Sequence, residues 1–371
     1  MKLRRIAPIL ALALILPACS SSKSSDRVEV TQPPTPEGIG EDNVADPFAS
    51  DASTRAANAA CKSGTEVKGR ALRVATTVAP ITNLVAIIAA GTNTKVTGIV
   101  PEGTNSHTFE PPPSAAQSLE TSDIVFMNGL NLEDPTRAMA DANASNAVLC
   151  ELGTATLAPG LWLYDSSFPK SAGKPNPHLW TNPPMAMSYA TLIRDALVNA
   201  DPTNVDIYDK NYVALSYIGM ELDKAMTTAT ATVPANQRKL LTYHDAYAYF
   251  AAHYQYSIIG AMQPQSFEEP TAQDVASLID QVKKERVKAI FGSEVFPSPV
   301  LEQIGKETGV RYVDSLRDDD LPGKPGDAEH SWAGLMQFNF ITMVEALGGD
   351  SAALKAVKID AGVTDKAFYP Q

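Results

Sequence analysis

Short apolar runs and stretches of helical period alternate along most of this chain. Leu72–Val78 reads as a strand, and Pro80 then opens a helical run through Ile87 to Ala90 that Gly91 stops. A second β-type run, Thr94–Val100, leads into a proline-braced loop, and Ser114-Ala115-Ala116-Gln117 after it reads as a capping box. Strand Asp123–Asn128, a helix through Arg137, strand Ala147–Leu152 and a helix over Met185–Asn199 follow. From about Asn204 to Thr230 the chain lacks Gly and Pro except for Gly219, and Tyr208, Tyr212, Leu215, Ile218, Leu222 and Met226 fall three and four apart. That spacing predicts one amphipathic helix about 40 Å long. The second half repeats the alternation, with strands at Lys239–Tyr243, Tyr256–Met262, Lys288–Glu294 and Arg311–Leu316. Its helices are Ala246–Tyr254, one capped by Thr271, one opened by Ser298-Pro299, and Trp332–Leu347. Such alternation predicts an α/β protein with mostly parallel, covered sheets. The expected bodies are an N-terminal lobe over residues 69–203, a linking helix over 204–232 and a C-terminal lobe over 233–371.

The N-terminus changes the picture by adding a destination. Lys2, Arg4 and Arg5 precede an apolar stretch from Ile6 to Leu16, too short to span a bilayer stably, and Leu16-Pro17-Ala18-Cys19 closes it. Residues 1–18 therefore read as a secretory signal, and the cleavage pattern resembles a bacterial lipobox in which Cys19 becomes the lipidated first residue. A free buried thiol is the alternative for Cys19, and it sits poorly beside Ser20, Ser21 and Ser22. Residues 19–68 have no sustained apolar period, and Pro33, Pro34, Pro36 and Pro47 rule out a long helix there. They are expected to form a disordered tether between the membrane and a folded, extracytoplasmic body.

The formal charge is −12, and losing the three positive charges of residues 1–18 takes it to −15. So acidic a protein is a poor nucleic-acid binder and a mild attractor of cations. Two cysteines remain, Cys61 and Cys150. In an oxidising compartment they are expected to form one disulfide, the alternative being two unpaired thiols.

Five histidines carry the candidate chemistry. His107 lies in the loop Pro101–Pro113, between a strand and a helix. His178 lies in a second proline-braced loop, Lys174–Pro184, just before a helix. His244 ends a strand, and so does the acidic run Asp318–Asp320. A lone loop histidine is usually just solvated, but strand ends are where α/β proteins bind ligands, and here the position recurs. Two lobes facing each other would set His107 and His178 against His244 and an aspartate. Three neutral imidazoles and a carboxylate suit Zn²⁺, and tolerate Mn²⁺ if the carboxylate binds through both oxygens. Protons should compete with the ion below the free-histidine pKa near ~6.5, by up to about three decades per pH unit. His253, placed about 180° around a helix from His244, cannot share that ion. His330, in an acidic Gly-rich loop, reads as solvated, and Glu294 reads equally as a partner of the site or a capping acid.

Three segments carry a family resemblance: Gly103-Thr104-Asn105-Ser106-His107-Thr108-Phe109-Glu110-Pro111, Asn176-Pro177-His178-Leu179-Trp180-Thr181-Asn182-Pro183 and His244-Asp245-Ala246-Tyr247-Ala248-Tyr249-Phe250. They resemble the ligand motifs of the zinc/manganese-binding solute-binding lipoproteins of bacterial ABC importers, over a span from Leu72 to the C-terminus. The resemblance implies two α/β lobes joined by one rigid helix, with a single ion between them. It implies a monomer without enzymatic activity that delivers the ion to a permease and its ATPase. The family's fourth ligand is an acid in a Leu-x-x-Asp-x-Leu-like segment, which places it at Asp319 in Leu316–Leu321, with Asp318 one residue away as the alternative. No His-rich loop lies between His107 and His178, so the choice of metal rests on the ligands themselves, and a third histidine at position 244 leans towards zinc. Three other readings compete. A zinc hydrolase would need an open coordination position and often a His-Glu-x-x-His helix, which is absent from the sequence. The others are an adhesin with a structural metal and a haem or siderophore carrier on a related fold.

Overall fold

The computed structural model describes residues 51–165, 167–262, 271–293 and 298–370. Cys19, Glu294 and most of the expected tether fall outside the described residues. The first sheet is built from β1 (Arg73–Thr76), β2 (Lys95–Gly98), β3 (Ile124–Met127) and β4 (Val148–Glu151) in the order β2-β1-β3-β4, every pair parallel. Its helices are α1 (Ala52–Cys61), α2 (Ala79–Ala89), α3 (Pro113–Glu120), α4 (Asp134–Asn143), α5 (Leu152–Thr156) and α6 (Pro183–Ala200). Helix α7 (Val205–Thr232) then leads to a second sheet of β5 (Lys239–Thr242), β6 (Ser257–Ala261), β7 (Ala289–Ser293) and β8 (Arg311–Leu316). That sheet is ordered β6-β5-β7-β8 and is again parallel, with helices α8 (Ala248–Tyr254), α9 (Ala272–Glu285), α10 (Pro299–Thr308), α11 (Trp332–Ala346) and α12 (Ala352–Lys355). The α/β class is therefore as the alternation predicts, and the same topology occurs twice.

Helix α7 runs 28 residues and buries Tyr208, Leu215, Ile218, Leu222 and Met226, most of the stripe its spacing marked out. It packs on α2 and α6 of the first lobe and on α11 and α12 of the second. The two lobes do not have wholly separate cores. One buried cluster runs from Leu84, Phe126 and Trp180 through Leu222 and Met226 to Phe250, Trp332 and Phe340. Smaller clusters lie under the outer faces of each sheet. A continuous core across the linking helix restricts how far the lobes can move apart.

Three local expectations change. Helix α3 starts at Pro113 with Pro112 at its N-cap, and no side chain caps it. Pro113 carries no N–H to satisfy and has φ preset for a helix, so the first turn forms ahead of Ser114. Residues 52–61, expected within the tether, form α1, capped by the Asp51 side chain and packed on β4, α5 and α6. Cys61 is bonded to Cys150 in β4, which fixes α1 to the sheet. At the other end, residues expected to belong only to the second lobe cross back to the first. Phe368 pairs in parallel with Thr97, its N–H donating to Val96 O at 3.0 Å and its carbonyl accepting from Gly98 N at 2.9 Å. An exposed edge strand offers unpaired backbone groups, and this tail satisfies those of β2.

The disulfide spans 89 residues of sequence. In the chain-entropy account a loop of that length constrains the unfolded chain by about 4–5 kcal/mol. Cys150→Ala should lower the unfolding free energy in urea by roughly 2–5 kcal/mol, and release α1 to proteolysis. An unchanged denaturation midpoint would contradict the pairing.

Candidate metal centre

Four loops place the candidate ligands. His107 follows β2 in a loop held by an Asx turn, its backbone N–H donating to Asn105 Oδ1 at 2.9 Å. His178 is fully buried just before the short turn Leu179–Thr181 that leads into α6. His244 follows β5, and Asp318 and Asp319 follow β8. Helix α8 begins only at Ala248, so His244 is on a loop, whereas His253 lies on α8 and meets Asp223 of α7 at 2.7 Å.

His107 Nε2 lies 3.2 Å from His178 Nε2, and His244 Nε2 lies 3.0 Å from it. The donor atoms of these three residues lie within 4.8 Å of one another, and so do those of His178, Asp318 and Asp319. Ligands on a tetrahedral zinc at about 2.0–2.1 Å would be separated by roughly 3.4 Å. The observed spacing is close to that edge.

Asn176 decides what His178 can do. Its Oδ1 accepts from both the backbone N–H and Nδ1 of His178, at 3.0 and 2.9 Å. Its Nδ2 donates to Asp165 Oδ2 and to Asp245 O, both at 2.6 Å, which fixes the amide orientation. Nδ1 of His178 is therefore the protonated nitrogen, and Nε2 presents its lone pair to the other two rings. One lone pair cannot serve two nitrogen neighbours as well as a cation placed between all three would.

Asp319 is buried, and its Oδ2 accepts from Ser106 Oγ at 2.5 Å and from Ser106 N at 3.3 Å. Its Oδ1 is buried without a hydrogen-bond partner. Asp318 Oδ2 is 3.5 Å from His244 Nε2. Burial dominates the electrostatics. It lowers the pKa of His107 and His178 well below the ordinary value, with smaller contributions from His244 beside both. It takes His244 down to about 4 and pushes Asp319 up to about 6, against the opposing hydrogen bonds from Ser106. The His107 ring tilts against Phe168 at 5.5 Å and His178 meets Trp180 edge-on at 5.1 Å, and a ring held neutral can offer a nitrogen lone pair to a metal.

The structure thus brings His107, His178 and His244 together, sets both Asp318 and Asp319 beside His178, and keeps His253 apart. Three residues have a place in the structure that the sequence does not announce. His330 is buried rather than solvated, because Tyr369 of the returning tail packs on it at 5.0 Å, and Glu102 Oε1 lies 3.7 Å from its Nε2. Asn176 and Ser106 stood inside the ligand motifs without a role. Their only signal was adjacency, two residues before His178 and one before His107.

Two lobes of matching topology on one long helix, with polar loops meeting at the strand ends, define a helix-linked solute-binding protein. A model of the family described as ZnuA, zinc-uptake complex component A, periplasmic, matches residues 74–346, and the chain belongs to that family. It is an extracytoplasmic metal-binding component of uptake. The manganese-binding lipoprotein MntA of Halalkalibacterium halodurans is 28% identical over 284 residues, covering 76% of this chain and 91% of the relative. The iron ABC transporter substrate-binding lipoprotein MtsA of Streptococcus pyogenes is 27% identical over 293 residues, covering 78% and 93%. The periplasmic zinc-binding protein TroA of Treponema pallidum shares the fold, with a TM-score of 0.68 at 22% identity over 75% of this chain and 99% of that one.

The depressed histidine pKa values are directly observable. In the metal-free protein, the imidazole carbon signals of His107, His178 and His244 should stay those of neutral rings as pH falls through 6.5, with His244 titrating near 4. A midpoint near ~6.5 for all three would mean that the rings are solvated and apart.

Proposed function

We propose that this protein captures one Zn²⁺ per chain, in preference to Mn²⁺, through Nε2 of His107, His178 and His244 and Oδ1 of Asp319. The observation that carries the reading is the convergence of three imidazole nitrogens, two on buried rings and one on the half-buried His107, around the fixed lone pair of His178, beside the unpartnered Asp319 oxygen. Three nitrogens and one carboxylate oxygen match the borderline preference of zinc. Four protein donors close the coordination sphere, which favours carriage over hydrolysis, since a hydrolytic zinc keeps a position open for water. The ion would pass to a membrane permease driven by its ATPase. The protein would act as a monomer held to the membrane through a lipid on Cys19, with no part for nucleic acid.

A second reading has one observation of its own. Asp318 Oδ2, 3.5 Å from His244 Nε2, is close enough to add a second carboxylate. Five or six donors with more oxygen would suit Mn²⁺ or Fe²⁺, the metals in the names of the relatives above.

Competition against a chelator of known affinity separates these readings. His107→Ala, His178→Ala and His244→Ala should each weaken Zn²⁺ binding by orders of magnitude, and His253→Ala should leave it unchanged. Asp319→Ala should cost more than Asp318→Ala for Zn²⁺; the reverse order would move the fourth ligand by one residue. Because burial already keeps the rings neutral, affinity should stay nearly flat from pH 8 to about 6 and fall only below that. A loss of three decades per unit beginning at 6.5 would show that the site opens to water when empty.

A further inference from the structure

The loop after β3 is held in an unfavourable shape although it carries none of the candidate ligands. Gly129, Leu130 and Asn131 are consecutive residues with positive φ, at 74°, 55° and 64°. Only glycine takes that conformation freely, and a Cβ on Gly129 would meet Thr154 Oγ1 at 2.6 Å. Two non-glycine residues stay there only where their surroundings dictate it. Leu130 N donates to Thr154 Oγ1 at 3.3 Å, and the start of the turn is braced by Glu133, the N-cap residue of α4, which is 2% exposed. Its Oε1 accepts from Asn128 N at 2.6 Å and from Thr77 Oγ1 at 2.9 Å, and its Oε2 from Gly129 N at 3.2 Å.

The carboxylate thereby fixes the backbone of Asn128, which is itself fully buried. The Asn128 side chain turns towards the second proline-braced loop. Its Oδ1 accepts from Tyr189 OH at 2.6 Å, and its Nδ2 donates to Gly129 O at 3.0 Å and to Pro177 O at 2.9 Å. Pro177 immediately precedes His178. The His178 loop is thus gripped on two sides. Asn176 sets which nitrogen carries the proton, and Asn128 sets where the backbone stands.

We infer that Asn128, locked by Glu133 and Tyr189, is a positioning residue for His178 and sets metal affinity without contacting the ion. The inference rests on His178 being a ligand, as proposed above. Groups that orient a ligand from outside the coordination sphere typically contribute about 10- to 100-fold in affinity. The strained turn is then the means by which an asparagine at the end of β3 reaches the neighbouring loop.

The test compares Asn128→Ala and the milder Tyr189→Phe with Asn211→Ala. Asn211 is similarly buried, but its Nδ2 ties α7 to the end of α2 through Ile88 O and Ala90 O. Each full-length variant would be measured for Zn²⁺ affinity by chelator competition, for the visible spectrum of its Co²⁺-loaded form, and for thermal unfolding. Asn128→Ala should lose about 10- to 100-fold in Zn²⁺ affinity and shift the Co²⁺ bands, with a smaller loss for Tyr189→Phe. Asn211→Ala should lower the unfolding temperature with affinity and spectrum unchanged. If Asn128→Ala does not fold, Tyr189→Phe decides. Wild-type affinity and spectrum in the folded Asn128 or Tyr189 variant would overturn the inference, and so would an equal affinity loss in Asn211→Ala. His178→Ala run alongside separates the two ideas, because wild-type binding in that variant would sink the metal site itself.

Discussion

The candidate site depends on keeping three imidazole nitrogens facing one another among loops that bury His178 and His244 and half-bury His107. Left to themselves, neutral rings would turn apart, hydrate or share a proton. Here burial removes the water and holds the rings neutral, and Asn176 spends the only N–H of His178 on its own oxygen. The result is one ring nitrogen, Nε2 of His178, shared between two neighbouring rings, beside an Asp319 carboxylate oxygen that lacks a hydrogen-bond partner. A divalent cation placed between them would satisfy these groups together, and so would turn a polar cluster otherwise costly to the fold into a binding site.

The scaffold holds that arrangement by crossing the gap between lobes with the ligand loops themselves. Asn176 donates to Asp245 O, Thr181 Oγ1 to Ala246 O, and Trp180 Nε1 to Asp318 O. Ser106 reaches Asp319, and Gly103 N reaches Asp320. Each bond involves a candidate ligand or a residue within two positions of one. Opening the lobes would therefore break the supports of the site, not only its ligands. The shared core along α7 and the returning C-terminal tail act in the same sense.

Much of this was legible in the sequence because it is local. The alternating strands and helices, the long period of α7 and the proline-braced histidine loops all announce themselves within windows of ten to thirty residues. What escaped reading depends on distant partners. Helix α1 is half alanine and capped by Asp51, a local signal set in an otherwise proline-rich, polar stretch, and its place on the sheet is fixed by Cys150, 89 positions beyond Cys61. His330 looks solvated until Tyr369 returns to cover it, and that return depends on an edge-strand pairing between Phe368 and Thr97. Asn176 and Asn128 look like ordinary turn and strand-end residues. Their importance lies in which way their amides point, and no spacing rule encodes that.

On the proposed reading a single ion sits between the lobes on three histidines and one aspartate. Anomalous diffraction from crystals of the zinc-loaded protein, collected on both sides of the zinc and manganese absorption edges, tests it most directly. The account predicts one zinc-specific peak at about 2.0–2.2 Å from Nε2 of His107, His178 and His244 and from an Asp319 oxygen. A peak elsewhere in the molecule, or one reached by fewer than three of these four residues, would contradict it.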